Sequence, residues 1–155
     1  MSNIQRYPSE FEDLDFEVIE EHWNEYELED NSRIKIRLVL KKMIGDPHNP
    51  NHIACDFAPV IFSVYTPISY RGELNNAPKP EEYETLPSYE VRIERANEKF
   101  NRYRILKKDI IVKTKLEVPE IKRITDRFDN DGIPFYVVYN MPHFLIMDSK
   151  NKIQP

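Results

Sequence analysis

The 155-residue sequence predicts an all-β protein, a mostly antiparallel small barrel or two-sheet sandwich of seven to eight strands behind an irregular acidic N-terminal arm. Three observations lead there. In Arg33 to Ile44 (RIKIRLVLKKMI), Ile34, Ile36, Leu38 and Leu40 fall on one side of an extended chain and Arg33, Lys35, Arg37 and Lys41 on the other. A second alternation sets Ile110, Val112, Thr114, Leu116 and Val118 against Lys113, Lys115 and Glu117. Between such runs stand Asp, Asn, Gly and Pro clusters of the kind that turn a chain.

The arm covers residues 1–15, where Pro8 interrupts any early helix and Ser9 with Glu12 could cap a single turn. Within 16–28, Trp23 to Leu28 reads as a strand; a helix is the competitor, because Phe16, Ile19, Trp23 and Tyr26 recur at three- and four-residue spacings. Glu29-Asp30-Asn31-Ser32 then makes a hairpin of Trp23–Leu28 with Arg33–Met43. Residues 45–52, with Gly45, Pro47 and Pro50, read as a loop, and Pro59 confines the next interior strand to Val60–Tyr65.

A long surface connection follows from Ser69 to Pro87, the segment most expected to carry specificity, which Tyr70, Leu74, Tyr83 and Leu86 could pin across a sheet edge or across a partner. Tyr89 to Arg95 alternates with Tyr89, Val91 and Ile93 inward, and Tyr103 to Leu106 opens a further element. Pro119 separates the Ile110 strand from Ile121–Phe128. Asp129 to Gly132 is a strong turn, with Ile133–Tyr139 and Phe144–Met147 as the last strands before a polar tail at 151–155. No period of twenty to fifty residues repeats, which argues against an array fold.

Composition bounds the rest. A chain with 40% hydrophobic and 32% charged residues is expected to form one soluble domain, here residues 16–150. Cys55 stands alone and no basic-then-apolar leader is visible, so a reducing cytoplasmic location is expected. No apolar stretch approaches membrane-spanning length. Residues 1–31 hold eleven acids against Arg6, a net of −10, and the remainder is +5. That split predicts attraction within the chain or between copies, unless both charge sets are simply solvated faces.

Three functional readings follow. The first is a non-enzymatic structural or protein-interaction module that self-associates, with Trp23, Tyr70, Leu74, Tyr83 and Leu86 as its surface and itself or another protein as partner. The second is a nucleic-acid-binding barrel using the basic 92–127 region, in which Phe100, Tyr103, Arg104, Lys113 and Lys115 combine charge with stacking. The third is a metal site at His48, His52 and Cys55, whose donors suit zinc but whose spacing matches no established ligand motif. No serine elbow, glycine-rich phosphate cradle or calcium loop is present: Arg127 and Val138 stand where a calcium loop needs ligands. The first reading is preferred, with no enzyme activity, cofactor or membrane contact.

Overall fold

The computed structural model describes residues 11–73 and 76–148. Ten strands occur among them: β1 (Glu12–Asp13), β2 (Phe16–Glu20), β3 (Trp23–Leu28), β4 (Arg33–Asp46), β5 (Asn49–Tyr65), β6 (Ser88–Glu90), β7 (Ile93–Asn97), β8 (Asn101–Ile105), β9 (Ile110–Phe128) and β10 (Pro134–Asp148). They form two antiparallel five-stranded sheets packed as a sandwich. In sheet A, β4 carries β5 along one side and β3 then β1 along the other, with β7 beyond β3. In sheet B, β9 carries β10 along one side and β8 then β6 along the other, with β2 beyond β8. No described helix is long and apolar enough to cross a membrane.

The β4 alternation is realised as read: Ile34, Ile36, Leu38 and Leu40 are buried while Arg33, Lys35 and Lys41 stay exposed. A register shift between Leu40 and Lys42 then resets the phase, so that Met43 rather than Lys42 points inward. Several predicted interruptions are absent. The 45–52 loop shrinks to a two-residue turn, because β4 runs to Asp46 and β5 starts at Asn49 and continues through Pro50 and Pro59. β5 is an edge strand, where a proline whose nitrogen faces away from β4 forfeits no ladder bond. Pro142 in β10 is tolerated for the same reason, which merges the two predicted terminal strands into one. Pro119 lies inside β9 between the stretches paired to β8 and β6, beside a register shift in β10.

Other expectations are redrawn at the ends of strands. Residues 16–28 form two strands and no helix, and Glu12–Asp13 pair with Gly45 and Ile44. Ser9 and the tail at 151–155 lie outside the described residues. Tyr89 is exposed instead of inward, since the predicted 89–95 strand breaks at Val91 and Arg92 where the chain passes from sheet B to sheet A.

That passage exposes an internal repetition. β1 to β5 and β6 to β10 have the same pairing order, and the second strand of each half joins the sheet of the other half: β2 pairs β8, and β7 pairs β3. Two short motifs carry it, Glu21-His22-Trp23-Asn24-Glu25-Tyr26-Glu27-Leu28 and Glu98-Lys99-Phe100-Asn101-Arg102-Tyr103-Arg104-Ile105, spaced by 77 residues. This period is longer than those of array folds. The hydrogen bonds repeat with the sequence. Asn24 Nδ2 donates to the Leu116 carbonyl (3.0 Å) and Asn101 Nδ2 to the Leu38 carbonyl (3.3 Å). Asn24 Oδ1 accepts from the Lys99 amide (3.2 Å) and Asn101 Oδ1 from the His22 amide (2.7 Å). Tyr26 donates to Glu98 and Tyr103 to Glu21, both at 2.7 Å. Leu14 and Val91, buried where the chain changes sheet, donate their amides to Met43 and Ile121, both at 2.9 Å.

The core is divided in the same way. One cluster joins Tyr26, Leu28 and Ile34 of the first half to Val91, Leu116 and Ile121 of the second; the other joins Tyr103, Ile105 and Val112 to Leu14, Leu40 and Met43. Neither half encloses a core by itself. Asn24 and Asn101, both buried, each serve a donor and an acceptor of the opposite half. Truncating either to Ala strands those buried partners, a loss of about 1–3 kcal/mol. The expected result for Asn24→Ala and for Asn101→Ala is a lower urea midpoint at unchanged m-value, against a shift within about 0.5 kcal/mol for the exposed Lys35→Ala. Midpoints unmoved in both asparagine variants would refute the reciprocal clamp.

Candidate interaction surfaces

The connection between the halves, residues 66–87, contains two single-turn 3-10 helices, Ile68–Tyr70 and Pro80–Glu82. It is fastened to β9 and β10. The Gly72 amide donates to the Gly132 carbonyl (3.0 Å), Asn76 exchanges backbone and side-chain bonds with Phe128, and Glu84 accepts from Tyr139 (2.8 Å). Gly132 sits at φ 78°, and a Cβ there would collide with the Gly72 carbonyl, so this docking requires glycine. Tyr83 and Leu86 are half-buried in the connection, and Leu74 lies outside the described residues.

Tyr70 belongs to a polar network at the join. Its ring lies 4.1 Å from the Arg123 guanidinium, with Tyr89 at 5.3 Å, and Arg123 is ion-paired to the buried Asp30. Asp30 also accepts from the Ser32 amide (2.9 Å), the Ser32 hydroxyl and Tyr136 (3.1 Å). Burial opposes its ionisation, but these donors and Arg123 outweigh burial and hold the carboxyl below its ordinary range. Tyr70 thus secures the connection to the sandwich, and Trp23 lies elsewhere, on the outer face of sheet A beneath Arg37 at 5.5 Å. The five predicted interaction residues do not form one patch among those described.

The outer face of sheet A is a charge ladder. Across β7, β3, β4 and β5 runs the row Arg95, Glu27, Arg33, Tyr65, followed by Asn97, Glu25, Lys35. Lys35 pairs with Glu25 and Arg95 with Glu27, both at 3.3 Å, while Arg33 lies over Tyr65 at 4.9 Å. The groove above these rows holds about 530 Å³.

On sheet B the matching face differs. Glu17 and Glu20 of β2 pair with Arg104 (2.8 Å) and Arg102 (3.2 Å) of β8. Lys113 and Lys115 contact the Phe100 ring at 4.3 and 5.3 Å, and among the described residues neither has a carboxylate in ion-pair reach. The predicted nucleic-acid set is therefore only partly assembled: Phe100, Lys113 and Lys115 converge, Arg104 is engaged by Glu17, and Tyr103 is in the core with no ring face to offer. Tyr103 occupies the same place in its motif as Tyr26, the signal that could have marked it as structural.

The proposed metal donors are dispersed. His48 is exposed at the β4–β5 turn, His52 stands edge-on to Phe11 (5.0 Å) with Asp46 at 3.8 Å, and Cys55 packs against the second core cluster. An odd spacing puts His52 and Cys55 on opposite faces of β5. Burial pushes the Cys55 thiol up to about 12. No group of three or more His, Cys, Asp or Glu among the described residues could hold a metal ion.

The remaining surfaces are edges. β5 pairs only with β4 and β10 only with β9, leaving one side of each free of strand neighbours among the described residues. β10 exposes Met141 at 45% and Phe144 at 37%. No protein-family model, curated protein or solved structure matches this chain.

Most of the acidic lead segment is neutralised within the molecule. Nine carboxylates from Glu12 to Asp30 form ion pairs with Lys or Arg, and six of those cross between the halves, Glu12–Lys108, Glu17–Arg104, Glu20–Arg102, Glu27–Arg95, Glu29–Arg92 and Asp30–Arg123. The exposed pairs contribute little individually. Asp30–Arg123 is different, because side-chain exposures of 3% and 12% leave it largely unscreened.

The lowered Asp30 value fixes the sign of a pH effect. Its contribution is present above the ordinary carboxylate range and is lost as pH falls through the folded value. Urea titrations between about pH 6 and about pH 2 should show wild type losing more stability on acidification than Asp30→Asn, although the variant starts less stable. Parallel losses in the two proteins would contradict this.

Proposed function

We propose that this chain is a non-enzymatic structural and interaction module that self-associates by pairing β10 with β10 of a second copy. The observation that carries the reading is the free edge of a 15-residue strand bearing the exposed apolar side chains Met141 and Phe144. A free strand edge presents unpaired amides and carbonyls in register, and a second strand satisfies them. Two copies of one strand meeting antiparallel about a twofold axis give an isologous contact and a continuous ten-stranded sheet. Pro142 limits where pairing can run and favours the proline-free stretch from His143 onward. β5 is a poorer candidate, because Pro50 and Pro59 punctuate its edge.

Support for the non-enzymatic part comes from Cys55, a half-buried neutral thiol packed against apolar side chains, and from the separation of the histidines from it. A lone cysteine fits a reducing cytoplasmic location. Sedimentation velocity across micromolar to millimolar concentrations should give a concentration-dependent dimer for wild type and a monomer for Met141→Lys/Phe144→Lys, with unchanged circular dichroism. A wild type monomeric throughout, or a double variant that assembles as wild type does, overturns the reading.

A second reading rests on Phe100 with Lys113 and Lys115 both against its ring. Two cations beside an aromatic side chain can hold a phosphate backbone while a base stacks. Fluorescence titration with single-stranded nucleic acid should then show binding that weakens with salt and is lost in Lys113→Ala/Lys115→Ala. Absence of binding at low salt removes it.

A further inference from the structure

We infer that each half of this chain is a docking partner for the complementary half of a second copy, so that two molecules assemble by exchanging halves. Residues 11–65 of one copy would close on residues 88–148 of the other, and the reverse. This exchange is independent of the β10 edge pairing. It uses the interface inside each molecule.

The first ground is the strand exchange already present within one chain. β2 completes sheet B and β7 completes sheet A, so each half lends a strand to a sheet built mainly by the other. Each core cluster likewise needs both halves. A half separated from its counterpart exposes Tyr26, Leu28 and Ile34, or Tyr103, Ile105 and Val112, and that apolar surface drives it to recover a complement.

The second ground is that the polar contacts between halves are indifferent to which chain supplies each half. The β2–β8 and β3–β7 ladders, the asparagine clamps and the Tyr26–Glu98 and Tyr103–Glu21 bonds can all form equally within one chain or between two. Chain identity enters only through residues 66–87.

The third ground is how that connection is attached. Its contacts through Tyr70, Gly72, Asn76, Glu82 and Glu84 all go to residues 123–139, in the second half. Beyond chain continuity at Tyr65 and Thr66, these contacts do not hold the first half. When the halves separate, the covalent tether between them still keeps them at a local concentration of about millimolar order. Closure within one chain therefore wins in dilute solution, and exchange becomes competitive at high concentration or when both halves open together during refolding.

The test uses the full chain with Cys55→Ser and one new cysteine in each half. Glu25→Cys with Asn97→Cys sits on directly opposed positions of β3 and β7; Glu17→Cys with Arg104→Cys does the same on β2 and β8. Each protein is refolded from denaturant at low and high concentration, separated by size, joined by a short bis-maleimide and run on a denaturing gel. Exchange predicts that the dimer fraction yields mostly a covalent two-chain product and the monomer fraction an internally linked single chain. Single-cysteine controls should give no two-chain product. A dimer fraction containing only internally linked chains overturns exchange and leaves edge pairing standing. Absence of any dimer overturns both. The two cysteine pairs report separately, so a variant that misfolds leaves the other to decide.

Discussion

The structure depends on the reciprocal clamp between Asn24 and Asn101. Each amide side chain is buried, and each bonds a carbonyl and an amide that belong to the other half. In a dry interior an unmatched polar group is penalised, so the two halves are held at the one separation and orientation that satisfies both. Tyr26 and Tyr103 extend the same constraint. Their hydroxyls reach Glu98 and Glu21 across the join, while their rings fill the two core clusters. Burial and these carboxylates raise both phenols, which remain protonated donors.

From that clamp follow the features that look irregular in isolation. β1 is two residues long because the chain must leave sheet A at Leu14 to reach sheet B, and β6 ends where Val91 makes the opposite crossing. Glu17 and Glu20 lie beside Arg104 and Arg102 because β2 is placed against β8. The acidic lead segment and the basic remainder are therefore complementary surfaces within one molecule. A large apparent charge separation in sequence thus resolves largely into ion pairs across the join, while Lys113 and Lys115 beside Phe100 stay outside them.

The two halves also diverge in informative ways. Only the first half's inter-strand turn contributes a buried carboxylate, Asp30, and only there do Arg123, Tyr70 and Tyr136 gather around it. At the corresponding turn of the second half stands Lys107 at positive φ, exposed. The asymmetry coincides with the connection, which docks beside Asp30. The matched residues thus build the sandwich, and the unmatched ones fasten the link, load the sheet faces and leave Met141 and Phe144 at an edge.

Alternation in Arg33–Ile44 and Ile110–Val118 was sufficient to identify both long strands and their buried faces, because side-chain direction in an extended chain is a local property. The turns at Glu29–Ser32 and Asp129–Gly132 were legible for a similar reason, and the motif around Asn24 and Asn101 was there to be read at a spacing of 77. Strand continuity through Pro50, Pro59, Pro119 and Pro142 was not, since a proline is harmless or disruptive according to whether a neighbour needs its amide. Periodicity alone did not separate Tyr103, a core residue, from the half-buried Phe100, which only the match to Tyr26 could have done, and the dispersal of His48, His52 and Cys55 followed from β5 running on through Pro50. Which strand lies beside which, and hence which charges and aromatics share a surface, is fixed by contacts between residues distant in the chain; only the folded sheets decide it.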